Sequence, residues 1–160
     1  MNIKTERCII TELIPSDFKE AMNLFTDNTV RQYLGGAITQ DAACKKLESW
    51  ISDNTGLYFC IRASKTNDFV GIISITKHHD DIFKELAYQF LPQFWGMGMA
   101  TESISAILEL LRKNISIKEL IAETQSRNLS SCRLLEKLGF EFENTVIRFG
   151  EEQSIYKYIL

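Results

Sequence analysis

Apolar residues recur along this chain with two periods, and the alternation between them predicts its elements. Short apolar, β-branched or aromatic runs read as strands at 4–14, 57–63, 69–76, 85–91, 119–125, 140–149 and 154–160. Between them, apolar residues spaced three and four apart read as helices. Phe18, Met22 and Phe25 mark the first helix, after Pro15 and the helix-start residues Ser16 and Asp17. Ala43, Leu47, Trp50 and Ile51 form one face of a second, capped by Thr39 and stopped before Gly56. Ala100, Ile104, Ile107, Leu108 and Leu111 mark a long helix over 96–114, and Leu134, Leu135 and Leu138 a last one that starts at Asn128 and stops at Gly139. The order β-α-α-β-β-β-α-β-α-β-β predicts an α/β fold built on one mixed sheet, a single domain over 1–160.

The chain has 160 residues, 45% of them hydrophobic, enough to bury a core without disulfides or a structural metal. Its net charge of −3 and scattered lysines and arginines give no nucleic-acid surface. Cys8, Cys44, Cys60 and Cys132 lack CxxC spacing and read as reduced core residues, not metal ligands. No segment resembles a signal peptide or membrane span, so the expected location is cytoplasmic, as a monomer or homodimer.

Candidate chemistry begins at Gln93, Phe94, Trp95, Gly96, Met97, Gly98, Met99, Ala100 and Thr101, where an extended apolar segment gives way to the long helix. Two glycines one residue apart allow a tight turn and turn successive amides toward an anion at a helix N-terminus. The turn lacks the third glycine of a dinucleotide fingerprint and the Gly-Lys-Ser/Thr of a P-loop. His78 and His79, followed by Asp80 and Asp81, read as a polar hairpin tip, because neighbouring strand residues point to opposite faces and do not share one metal ion. Phe18, Phe25, Tyr33 and Trp50 read as core aromatics around the first helices.

These residues resemble the GCN5-related N-acetyltransferases (GNAT), and within them the Rim-type branch of ribosomal-protein N-acetyltransferases. Gln93, Gly96 and Gly98 match the family's acyl-CoA signature, and Trp95 to Glu102 the branch's Trp-Gly-x-Gly-x-Ala-Thr-Glu. Asn128, Ser131, Arg133 and Leu135 to Phe140 match its later signature, and Thr5, Glu6, Arg7, Leu13 and Asp17 its opening, with Cys8 and Thr11 as departures. The resemblance covers the whole chain. It implies an enzyme that moves acetyl from the co-substrate acetyl-CoA to a primary amine by direct attack in a ternary complex, without metal. The acceptor is either a protein N-terminal amine or a small-molecule amine. A non-catalytic CoA-binding regulatory module is the alternative.

The resemblance also implies site residues. The CoA pyrophosphate falls on the amides from Trp95 to Thr101. The pantetheine arm falls between the strands at 85–91 and 119–125, against the backbone of Phe90 and Leu91, with Asn128 and Ser131 opposite. Strand parity puts Glu85, Ala87 and Gln89 on one face and Leu86, Tyr88 and Phe90 on the other. Glu85 is the candidate base, with an exposed strand-start carboxylate as the competing reading. Many members place an acidic tyrosine seven residues after the Asn, where this chain has Leu135. Ser131 is the remaining hydroxyl, for positioning or for proton transfer. Tyr33, Leu34, the Gly35-Gly36 loop and Tyr88 are expected to border the acceptor.

Overall fold

The structure, a computed structural model, describes residues 2–113 and 117–160. Its strands are β1 (Asn2–Lys4), β2 (Cys8–Glu12), β3 (Leu57–Ala63), β4 (Phe69–Lys77), β5 (Lys84–Phe90), β6 (Glu119–Gln125), β7 (Glu141–Arg148) and β8 (Glu151–Ile159). They form one mixed sheet in the order β1-β2-β3-β4-β5-β6-β8-β7. The helices are α1 (Phe18–Thr26), α2 (Gln40–Ser52), α3 (Met99–Arg112) and α4 (Leu129–Lys137).

The predicted strand over 4–14 is two strands. Polar Thr5, Glu6 and Arg7 turn the chain, and Thr5 Oγ1 accepts the Cys8 amide at 3.0 Å. Glu102 of α3 anchors that turn, taking the Arg7 amide at 2.6 Å and its guanidinium at 2.7 Å. Nothing local to residues 4–14 encodes this long-range tie. Thr39 caps α2 as expected, accepting the Ala42 amide at 3.2 Å. Its face is narrower than predicted: Trp50 stacks on Tyr58 with ring centres 5.1 Å apart and meets Phe25 edge-on, while Ile51 stays 40% exposed. The long helix begins at Met99, leaving 96–98 as an open turn, and its predicted end at 114 lies outside the described residues.

The sheet separates two cores. Ile104, Ile107, Leu108 and Leu111 of α3 pack with Phe59, Ile61, Ile73, Ile75 and Leu86, whereas Leu24, Phe25, Ala43 and Leu47 of α1 and α2 cluster with Cys60 and Ile72. Cys8, Cys60 and Cys132 are buried free thiols; Cys44, read as core, is only partly covered. Asp17 is buried and pairs with Arg62 at 2.8 Å, fixing the start of α1 to β3.

The topology makes an opening at β5. It runs antiparallel to β4 along its whole length, from Lys77–Lys84 to Gly71–Phe90. With β6, reached by the α3 crossover, it pairs in parallel only at Lys84–Leu120 and Glu85–Ile121. Beyond Glu85 the two strands part, while β6 stays paired with β8 from Glu119 to Gln125.

Gly71 lets β4 and β5 lie this close: a Cβ there would overlap the Gln89 carbonyl oxygen and come within 2.9 Å of the Phe90 ring. Gly71→Ala is therefore expected to cost about 1–3 kcal/mol, the range for overpacking. Denaturant unfolding measures it, and an unchanged midpoint would mean that β5 yields freely.

Candidate active site

The glycine turn is built by its neighbours. Pro92–Phe94 form one turn of 3-10 helix, and the Trp95 indole N–H donates back to the Phe90 carbonyl at 2.7 Å. Gly96 (φ +73°) and Gly98 (φ +78°) then take left-handed conformations, and a Cβ on either would meet no protein atom within 4 Å. Backbone angle, not crowding within the chain, is what demands glycine here. The first intrahelical bond of α3 runs from the Glu102 amide to the Gly98 carbonyl at 3.0 Å. Among the described residues, none of the six amides from Gly96 to Thr101 donates to a protein acceptor. With the positive end of the α3 dipole behind them, they form an open cradle for an anion. Glu102, in the first turn, would oppose an anion, and Arg7 pairs with it at 2.7 Å.

The parting of β5 and β6 continues this cradle as a cleft of about 580 Å³. Because the Leu91 amide bonds the Val70 carbonyl at 2.9 Å, ladder alternation turns the Tyr88 and Phe90 amides away from β4 and toward the gap. Phe90, Phe94, Trp95, Gly96, Gly98, Ala100, Thr101, Asn128 and Ser131 line the cleft, and so do Tyr33, Leu34 and Tyr88. Four residues of the predicted set stand apart from its wall. The Leu91 side chain is in the core and its amide is spent on Val70; Met99 contributes a free amide but buries its side chain; Gln93 and Met97 face solvent.

Asn128 caps α4, its Oδ1 accepting the Ser131 amide at 3.2 Å, which aims the first turn of α4 at β5. There the Ser131 and Tyr88 hydroxyls lie 2.7 Å apart. Burial pushes the Tyr88 phenol up to about 12, so it keeps its proton at neutral pH. Leu135 is buried in the core beneath them. Position 135 thus brings no hydroxyl to the cleft, and the two hydroxyls that meet there come from Tyr88 of β5 and Ser131 of α4.

Glu85 lies in a second, adjoining pocket of about 310 Å³ on the α1–α2 face, whose wall shares Leu34, Ala87, Tyr88 and Gln89 with the main cleft. Burial raises its carboxyl to about 7, with the charge of His78 opposing that rise. His78 corrects the sequence reading. His79 is exposed, as a hairpin tip requires, but His78 is only 5% exposed. Its Nε2 lies 3.0 Å from Glu123 of β6 and its Nδ1 3.0 Å from Asp80. Arg148 of β7 donates to the other Glu123 oxygen at 2.9 Å. Burial disfavours a charged His78, yet Glu123, Asp80 and Glu85 outweigh it and raise its pKa. The parity of 74, 76 and 78 continues β4's buried face and is visible in sequence; the carboxylates that meet it are not. Among the described residues, no cluster of His, Cys, Asp and Glu is arranged to hold a metal ion.

Residues 7–141 match the family model described as acetyltransferase (GNAT) domain. An uncharacterized N-acetyltransferase of Bacillus subtilis, YnaD, is 27% identical over 144 residues, which cover 89% of this chain and 84% of its own. Among solved structures, spermidine N-acetyltransferase from Vibrio cholerae, in complex with CoA and spermine, superposes with a TM-score of 0.83 at 15% identity, covering 97% of this chain and 96% of that one. An acetyl transferase from Salmonella typhimurium that modifies the N-terminal serine of ribosomal protein L7/L12 gives 0.83 at 15% identity, covering 98% and 96%. At that identity the two structures speak to the fold alone, and TM-scores of 0.83 over nearly the whole of each chain show that the fold is shared. On the family match, the chain belongs to the GNAT acetyltransferases.

Proposed function

We propose that the protein transfers acetyl from acetyl-CoA to a primary amine bound beside Glu85, by direct attack within one ternary complex. The observation that carries this reading is the run of six unbonded amides, Gly96 to Thr101, at the end of a strand pair that has parted. Those amides would hold the pyrophosphate, and the gap beside Tyr88 and Phe90 has the backbone donors to receive the pantetheine arm. Acetyl-CoA supplies the thioester and a thiolate leaving group.

The residues divide the remaining work. The Phe90 amide, turned into the gap, donates to the carbonyl oxygen that gains charge as the amine attacks. Glu85, near 7, takes a proton from the incoming ammonium, directly or through water. The Tyr88 hydroxyl, held by Ser131 and still protonated at neutral pH, hydrogen-bonds the departing sulfur and is placed to protonate it. Among the described residues no cysteine lines the cleft, and Cys132 is buried with its thiol turned toward the Ser126 carbonyl, which favours direct attack over a covalent enzyme intermediate. The Tyr88–Ser131 pair also favours a working enzyme over a CoA-binding module without turnover. We read the protein as one domain, working without nucleic acid or membrane, in the cytoplasm, where thiols such as its four free cysteines stay reduced.

The relatives' acceptors, a polyamine and a ribosomal-protein N-terminus, set the first panel. Thiol release from acetyl-CoA is expected with at least one primary amine in a panel of polyamines, amino acids and peptides beginning with Ala, Ser or Met. Acetylated amine should accumulate in equal amount. CoA binding without turnover of any of them would favour the non-catalytic module.

A further inference from the structure

We infer that the acceptor is a small amine that also carries an anionic group, seated with that group at Arg31 and Lys46 and its amine toward Glu85. This rests on the acetyltransferase reading above and deepens it. The pocket that holds Glu85 is also lined by Arg31, from the segment between α1 and α2, and by Lys46 of α2, with Trp50 beside them. Among the described residues, Glu85 is the single carboxylate lining it.

Arg31 is the unusual member. It is 9% exposed, and buried charges are ordinarily paired with an opposite charge. Its Nε donates to the Gly36 carbonyl at 2.6 Å and its Nη2 to the Leu34 carbonyl at 2.5 Å, which accounts for its grip on the loop. Those carbonyls are neutral, and no carboxylate among the described residues pairs with it, so its charge has no counter-ion there. A second cation stands nearby instead. Lys46 also pairs with no carboxylate among the described residues, its ammonium lies 5.8 Å from the centre of the Trp50 ring, and burial followed by the Arg31 charge lowers its pKa. Two unpaired cations on one wall are an anion site.

The opposite wall suits an amine. Gln89 Oε1 is buried and has no hydrogen-bond partner among the described residues, and it belongs to the same β5 face as Glu85. An acceptor oxygen left without a donor costs stability unless a ligand N–H meets it. The pocket thus has acceptors at one side and cations at the other, the pattern of an amine joined to a carboxylate or a phosphate. A polyamine would bring its second ammonium against Arg31 and Lys46.

Thiol release from acetyl-CoA tests this with three series: free amino acids, aminoalkyl phosphates, and their uncharged amides and alcohols, with spermidine and an N-terminal peptide alongside. The expected result is a kcat/KM at least about tenfold higher for one of the anionic series than for its uncharged counterpart, the size of one charge-assisted hydrogen bond. Which series gains identifies carboxylate or phosphate. Lys46→Gln, which removes no hydrogen bond or ion pair among the described residues and should keep the fold, is expected to shrink that ratio through the KM of the anionic amine. Arg31→Gln should shrink it too while loosening the loop. Equal or faster turnover of uncharged amines, spermidine or the peptide would overturn the inference and leave the acetyltransferase reading standing. Failure to bind acetyl-CoA, or no release with any amine, would remove both.

Discussion

Glu85→Gln is expected to lower kcat/KM at pH 8 by about 100-fold or more, the scale of a lost general base, while making the protein more stable. Both effects follow from one burial. Its carboxyl, ordinarily near 4.5, is raised to about 7 because the folded pocket strips water from it. Activity that needs the ionised form should climb with pH below about 7 and level off above it, and the glutamine variant should show no such rise. The stability effect has the opposite sense. A folded-state pKa above the unfolded one means that the native state binds the proton more tightly, so this group's contribution is fully present below about 4.5 and is lost as pH rises through about 7. Above that, the native state carries a poorly solvated anion, and replacing it with an uncharged amide should raise the unfolding free energy by about 2–3 kcal/mol, and Tm with it. At pH 4 the two proteins should melt alike. A loss of activity together with a loss of stability at pH 8 would assign Glu85 to structure.

Gly98→Asp should weaken CoA binding by about 100-fold or more, ~2.7 kcal/mol. The substitution acts on the cradle in two ways. At φ +78° any side chain is strained, although aspartate tolerates that region better than most, so the folding cost should stay near ~1 kcal/mol. Its carboxylate would sit beside amides that have no other acceptor among the described residues, answering them from within and repelling a pyrophosphate. Gly98→Asn carries the same backbone strain without the charge and should lose much less. Calorimetric titration with CoA separates the two, and equal losses would mean that strain in the turn, not charge, governs binding.

The glycine turn was legible in sequence because a left-handed backbone leaves glycine as its written trace, and Gly96 and Gly98 both take that conformation. Strand parity likewise separated Glu85 from Tyr88, since alternation is a local rule. What sequence left unread is contact between distant elements. The sequence marks Tyr88 and Ser131 separately, yet their 2.7 Å pairing depends on α4 reaching across to β5. Asp80 and Asp81 make His78 read as part of a solvated turn, whereas Glu123 arrives from a later strand to pair with it and is itself held by Arg148 of the strand after. The split of the first strand has the same origin, since Glu102 is ninety-five positions from the turn it fixes. Arg31 and Lys46 carry no local mark at all; they become a pair only when α2 packs on α1 beside the opened sheet.

The account rests on the open turn and the parted strands being the seat of acetyl-CoA. Calorimetric titration of acetyl-CoA into the wild-type protein tests that most directly. One molecule should bind per chain with a Kd in the micromolar range, ~−8 kcal/mol. No heat of binding with tens of micromolar protein would contradict it.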